Sequence, residues 1–85
     1  MHMEITPEMA NLFGSEPGQV ESVEITYQNG GKVVGTLKKV RLRPFKLVIQ
    51  KTLVEPGERP KHRVVFDHVT QLTVTLRDGT KKTFE

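Results

Sequence analysis

Apolar and polar residues alternate along most of the chain from residue 20 onward, and this pattern predicts a mostly β protein. Val23, Ile25 and Tyr27 alternate with polar residues, as in a strand that buries one face. The Asn-Gly-Gly run at residues 29–31 accepts positive φ at little cost, which predicts a hairpin turn. A second strand is therefore expected directly after this turn.

The second strand changes the parity of its apolar residues along its length. The first part of the strand has Val33, Gly35 and Leu37 on one face. The later residues Val40 and Leu42 have the opposite parity and would lie on the other face of a regular strand. A flat strand cannot bury both sets on one side. We therefore predict a bulge or a sharp bend near Lys38-Lys39, with Gly35 permitting a close backbone approach. Long bent strands of this kind close small barrels.

Turn residues divide the rest of the chain into further strands. Pro44 ends the second strand, because proline cannot donate a hydrogen bond to a β-ladder. Apolar segments then predict strands at residues 47–54, 64–66, 72–76 and 80–85. The last of these follows a turn at Asp78-Gly79 and would add a terminal hairpin. An exposed loop is predicted at residues 55–60, and the strand at 64–66 is expected to break at Asp67-His68.

Residues 5–14 carry a short helical pattern ahead of the strands. Thr6 suits the N-cap, Pro7 the first helical position, and Glu8 the positive end of the helix dipole. Met9, Leu12 and Phe13 then fall on one face of the helix, and Gly14 can end it. A helix of about two turns is stable only if its apolar face docks on the rest of the domain. A connector is predicted at residues 15–19.

The composition predicts one small domain over residues 1–85. The chain is 35% apolar and contains no cysteine and no tryptophan. A domain of this size buries only about 60 to 65% of its unfolded surface. Because disulfides are excluded, self-association is the remaining common source of further burial. No run reaches the roughly 18 apolar residues of a membrane span, and no signal-peptide pattern is present, so we expect a cytoplasmic protein without a membrane partner.

Charge is distributed unevenly along the chain. Residues 32–51 contain seven lysines and arginines and no acid, whereas the first 31 residues contain five glutamates and neither lysine nor arginine. Such a separation makes one region attractive to polyanions, although the net charge is only +3. The alternative is that these cations form the solvated face of a strand pair.

Catalytic and cofactor chemistry has little support in the sequence. His2, His62 and His68 lack a tight metal-ligand spacing, and no cysteine joins them. Ser15 and Ser22 belong to no nucleophile motif, and the glycines form neither a P-loop nor a dinucleotide fingerprint. We therefore expect a binding protein rather than an enzyme, with no metal and no cofactor.

The chain resembles the Sm-like family, which includes the bacterial Hfq proteins. The glycines Gly30 and Gly35 with Leu37 give a G-x4-G-x-L spacing, followed by an apolar residue at Val40 and the run at residues 47–49. The order of elements is also similar over residues 5–76. The segment at residues 64–69 resembles the one in which Hfq carries an aromatic residue followed by Lys-His.

This resemblance implies both a fold and an assembly. The implied fold is all-β with a short N-terminal helix: a small, strongly bent, five-stranded antiparallel barrel of the Sm or SH3-like type over residues 20–76. Residues 77–85 would be a terminal hairpin extension. The family forms rings in which the fourth strand of one subunit pairs with the fifth of the next, so a homo-oligomeric ring of about five to seven subunits is expected. The implied partner is single-stranded RNA.

The family's nucleotide pocket is altered in this chain. Where Sm proteins usually place Asp and Asn, this sequence has Arg41 and Lys46, and the Lys-His pair of Hfq corresponds to Asp67-His68. The added cations favour contact with phosphates over readout of a particular base. The predicted RNA-binding residues are Arg41, Arg43, Phe45, Lys46 and His68.

Several interpretations remain open. Phe45 either packs into the core beneath the basic loop, as phenylalanines usually do, or serves as a stacking platform for bases near His68. For the whole chain, one alternative is a structural or protein-interaction ring without RNA binding, which Asp67 favours. The other is a monomeric SH3-like module that binds protein partners.

Overall fold

The computed structural model describes residues 4–15 and 17–85, in which one helix precedes a single antiparallel sheet. The helix α1 spans Pro7–Ser15, and short 3-10 helices span Pro17–Gln19 and Phe66–His68. The strands are β1 Val20–Tyr27, β2 Lys32–Leu42, β3 Phe45–Lys51, β4 Lys61–Arg63, β5 Val69–Leu76 and β6 Lys81–Phe84. Their order in the sheet is β4-β3-β2-β1-β5-β6.

The sheet is open, with β4 and β6 at its two edges. The predicted mostly β fold with a short N-terminal helix is confirmed, but the five-stranded barrel is wrong, because six strands form one sheet that does not close. The sixth strand results from a tight turn in which Gly79 has φ +93° and the Asp78 carboxylate accepts a hydrogen bond from the Thr80 N–H at 2.9 Å. This turn sends β6 back along β5, where Leu72 pairs with Phe84.

The bend that the apolar parity predicts in β2 is present. The pairing of β2 with β3 shifts register between Leu37 and Lys39, which confirms a bulge at the predicted place. Gly35 lies so close to β3 that a Cβ atom would overlap the backbone carbonyl of Gln50. The bulge returns Val40 to the same side of the sheet as Leu37, so both pack against the core.

The four strands predicted at residues 47–54, 64–66, 72–76 and 80–85 have other bounds in the structure. β5 begins earlier than predicted, at Val69, and β6 is shorter, at Lys81–Phe84. β3 starts at Phe45 and ends at Lys51, and the next residue, Thr52, still donates its N–H to the Val34 carbonyl of β2 at 2.9 Å. The predicted strand at residues 64–66 is wrong: β4 is Lys61–Arg63, and Phe66 begins a 3-10 helix. An edge strand tolerates charged residues, since one of its sides faces water.

The core lies between α1 and the inner face of the sheet. It consists of buried apolar side chains from the helix and the strands: Met9, Leu12, Phe13, Val20, Val23, Ile25, Leu47, Ile49, Val64, Val69, Leu72, Val74 and Phe84. Thr6 caps the helix by accepting a hydrogen bond from the Met9 N–H at 3.2 Å. The helix runs one residue past the predicted end at Gly14.

The described part of the chain leaves out residues 1–3 and 16. Residue 16 belongs to the predicted connector, and His2 belongs to the histidines considered as metal ligands, so both predictions fall partly outside the described residues. Within residues 4–15 and 17–85, no helix is long and apolar enough to cross a membrane.

Candidate nucleic-acid interface

Cations gather on the outer face of the sheet, where β2, β3 and β4 lie side by side. Four of them surround the side chain of Val48 and line a shallow groove of about 150 Å³: Lys39, Arg41, Lys46 and Arg63. No carboxylate lines this groove. The groove is therefore positively charged, with an aliphatic centre.

Strand pairing explains why these side chains meet. The bulge in β2 sets Lys39 and Arg41 on the outer face, opposite to the face that packs on the core. Arg41 is the register partner of Lys46 on β3, and Lys39 is the partner of Val48. Val48 in turn pairs with Arg63 on β4. The three strands thus bring Arg63 next to three cations of the β2–β3 hairpin.

A second concavity of about 450 Å³ continues the first toward the edge of the sheet. Val48 and Arg63 line both, and the second adds Arg59, Pro60 and Lys61. Lys61 reaches the outer face because it pairs with Gln50, two residues along β3 from Val48. We call the six cations of the two concavities the basic face: Lys39, Arg41, Lys46, Arg59, Lys61 and Arg63.

The basic face has no ionic partners within the described part of the chain. The ion pairs there involve other lysines, in Lys32–Glu24, Lys51–Glu58 and Lys82–Glu8. Six positive charges on one face exceed the net charge of +3 for the whole chain. The positive potential is therefore concentrated on this half of the outer face.

The structure joins only two of the five predicted site residues directly. Arg41 and Lys46 are register partners on the basic face, and Arg43 lies in the exposed turn between β2 and β3. Phe45 is half-buried and belongs to the side of β3 that packs on the core. His68 lies in the 3-10 helix before β5 and lines a different cleft.

Phe45 packs within an aromatic cluster. Its ring lies 5.8 Å from that of Phe13 in an edge-to-face contact and 5.3 Å from that of Phe66 in a tilted one. Both partners belong to the core or pack against it. These contacts favour the core interpretation of Phe45 over the stacking platform.

Four of the six residues of the basic face are absent from the predicted site: Lys39, Arg59, Lys61 and Arg63. Arg59 and Lys61 fall in or next to the predicted exposed loop, and Arg63 falls before the predicted strand rather than in one. The available signal was the spacing of Lys61 and Arg63, since residues i and i+2 of a strand share a face. Lys39 was recognised as a cation but left out of the site, because the direction of its side chain depends on the bulge.

A second cleft lies on the inner side of β4 and has a volume of about 350 Å³. It is lined by Tyr27, Gln28, Asn29, His62, Val65 and His68. The Tyr27 Oη and the His62 Nε2 are 2.6 Å apart, and the two rings meet edge to face with centroids 5.8 Å apart. His62 faces this side because its register partner is the core residue Ile49.

The hydrogen bond between Tyr27 and His62 joins two neutral groups. Burial raises the pKa of the Tyr27 phenol, an effect that a hydrogen bond from the Val65 backbone N–H partly opposes. Burial lowers the pKa of the His62 imidazole, and the positive charge of Lys51 lowers it further. The phenol donates to Nε2 in the tautomer of His62 that is protonated on Nδ1, and the two roles reverse in the other tautomer.

Within residues 4–15 and 17–85, no group of three or more His, Cys, Asp or Glu side chains is placed to hold a metal ion. Comparisons of the chain with protein-family models, curated proteins and solved structures found no match. The resemblance to the Sm-like family therefore stays a prediction. The function has to be inferred from the basic face and the cleft beside it.

Proposed function

We propose that the protein binds single-stranded RNA on the basic face, through contacts with phosphates and with little readout of sequence. The observation that carries this proposal is the cluster of six cations, five on three paired strands and Arg59 in the loop before β4, none of which has an ionic partner among the described residues. Lysine and arginine side chains on such a surface replace the counterions of a nucleic acid, and this release of counterions drives binding.

The chemistry of the basic face fits phosphates better than bases. Arginine contacts a phosphate through two parallel N–H donors, and lysine contacts it as a point charge. Around Val48 the groove offers donors but no carboxylate to accept a hydrogen bond from a base. Since phosphate contacts carry no sequence information, weak sequence preference follows.

The proposal assigns RNA binding to the single chain, because the ring pairing that the resemblance implies meets an obstacle. β5 pairs with β1 on one side and, from Leu72 to Thr75, with β6 on the other. A neighbouring β4 would therefore find the outer edge of β5 occupied over these residues. A ring of about five to seven copies built in this way requires β6 to leave β5.

Salt dependence of RNA affinity tests the proposal. The logarithm of the affinity of a short single-stranded RNA should fall with the logarithm of the salt concentration by about 0.7 for each phosphate contact, or by about 4 if all six cations take part. The triple variant Arg41→Gln, Lys46→Gln, Arg63→Gln should bind more weakly and with a slope smaller by about 2.

A matched variant separates the basic face from net charge. Lys32→Gln, Lys81→Gln, Lys82→Gln removes the same charge from positions outside the basic face and should retain the wild-type slope. Equal losses of RNA affinity and of salt slope in the two triple variants would reject the basic face as the binding site. The mass of the protein in solution, measured by light scattering, also tests the alternative function. A discrete ring that does not bind RNA would favour a structural or protein-interaction role.

A further inference from the structure

The cleft on the inner side of β4 has the form of a slot for a flat ring. Tyr27 and His62 both line it, and their hydrogen bond and edge-to-face contact hold the two rings in a fixed arrangement. Val65 is 47% exposed and offers an aliphatic surface to the same cleft. His68 adds a second imidazole.

Polar groups at the cleft suit a heteroaromatic ring better than an aliphatic ligand. Asn29 brings a side-chain amide to its lining, and no carboxylate lines it. The Asn29 Oδ1 accepts a hydrogen bond from the Gly31 N–H at 2.8 Å, and its NH2 group can donate to the edge of a nucleobase, while aromatic and imidazole rings contact the face of the base.

The cleft and the basic face lie on the two sides of one short edge strand. Lys61 and Arg63 point to the outer face, and His62 between them points to the cleft. β4 is hydrogen-bonded to β3 on one side only, so its other edge is open in the sheet. An extended chain that crosses this edge can leave its phosphates at Lys61 and Arg63 and turn a side group into the cleft.

We propose that the cleft between Tyr27, His62 and Val65 accepts one unstacked base of the RNA strand whose phosphates lie on the basic face. This inference rests on the proposed function and adds a base site to it. The residues at positions of the Sm-like nucleotide pocket are divided between two sites here: Arg41 and Lys46 lie on the outer face, and His68 lines the cleft. Any base can enter, because every base has a face that stacks.

The experiment uses the fact that Tyr27 is the only tyrosine in the chain. Protein with ring-labelled tyrosine gives NMR ring signals from the cleft alone. It is titrated with a short single-stranded RNA and, separately, with an abasic ribose-phosphate strand of equal length. The RNA should shift the Tyr27 signals and bind about fivefold to 150-fold more tightly than the abasic strand, the range that corresponds to one stacked base.

Two valine variants make the test specific to the cleft. Val65→Phe fills the cleft and should reduce RNA affinity to that for the abasic strand. Val54→Phe places the same ring at a valine that is 42% exposed and does not line the cleft, and it should leave RNA affinity unchanged. Melting temperatures of both variants show that each has folded.

The possible failures are distinguishable. If both strands bind with equal affinity and the Tyr27 signals stay in place, the base site is rejected while phosphate binding on the basic face stands. If neither strand binds, the proposed function fails, and the base site fails with it. Equal weakening by Val65→Phe and Val54→Phe would likewise reject the cleft as the site of the base.

Discussion

The outer face of the sheet has two halves of different character. Over β1, β5 and β6 it carries polar residues among which threonine is the commonest, as in the pair Thr73 and Thr83, and its lysine Lys81 stands opposite Thr75. Over β2, β3 and β4 it carries the basic face, where Arg41 stands directly opposite Lys46. Like charges directly opposite each other on a sheet destabilise it, whereas threonine suits an exposed strand. The difference supports the proposal that the basic half serves binding rather than folding.

Removing the aromatic support beneath the basic half should have the largest effect. Phe45→Ala should lower the free energy of unfolding by roughly 2 to 4 kcal/mol, somewhat less than for a fully buried ring, because it empties the contact with Phe13 and Phe66. RNA affinity of the folded variant should stay at the wild-type value, since the ring lies on the inner side. Chemical denaturation and an RNA titration measure the two quantities.

Phe84→Ala is the matched control for Phe45→Ala, because Phe84 is a core ring beneath the threonine half. It should also lose stability and keep RNA affinity. If Phe45→Ala melts like the wild type but binds RNA much more weakly, the stacking interpretation of Phe45 is right and the core interpretation is wrong.

The close approach of β2 and β3 should tolerate no added methyl group. Gly35→Ala should cost about 1 to 3 kcal/mol of stability, because the new Cβ overlaps the Gln50 carbonyl and forces the two strands of the basic half apart. Gly18→Ala is the control, as a Cβ there meets no atom within 4 Å. Equal stability of the two variants in denaturant would contradict the tight β2–β3 contact.

The link between β1 and β4 should depend on pH. Because the pKa of folded His62 is depressed, the unfolded chain takes up this proton first, so stability should fall as pH drops below about 6.5. Above the ordinary pKa of the imidazole, His62 is neutral in both the folded and the unfolded chain, so this loss of stability disappears. In His62→Gln this part of the pH dependence should be absent, as measured by unfolding between about pH 5 and 8. An unchanged pH profile in the variant would rule out His62 as its source.

The smallest predicted change is a gain in stability. Lys46→Glu places an acid opposite Arg41 and should stabilise the sheet by about 0.2 to 1 kcal/mol while it weakens RNA binding. Lys81→Glu, opposite Thr75 in the other half, should change neither stability nor affinity by a comparable amount. If Lys46→Glu weakens the fold as well as binding, the cations of the basic half contribute to folding after all.

Side-chain parity along the sequence was sufficient to predict much of the fold. It located β1, the hairpin after Tyr27 and the bulge beside Lys38, because each depends on a few neighbouring residues. It could not locate β4, since Lys61–Arg63 contains no apolar residue and forms a strand only by pairing with β3. Whether the sheet closes depends on contacts between its distant edges, which no local pattern contains.

The candidate site was predictable to the same extent. Arg41 and Lys46 lie close together in sequence on either side of a turn, so their proximity follows from the hairpin that joins β2 and β3. Arg63 reaches them only through the pairing of β4 with Val48. The cleft could not be foreseen, because Tyr27 and His62 are 35 residues apart and meet only in the folded sheet.

Mapping of backbone amide shifts during titration with a short single-stranded RNA tests the central claim most directly. The claim predicts the largest shifts on the three strands of the basic half, around Lys39, residues 46–50 and Lys61–Arg63. It predicts small shifts on β6 and on the outer residues of β5. The largest shifts on the threonine half, or saturable binding without shifts on the basic half, would contradict the account.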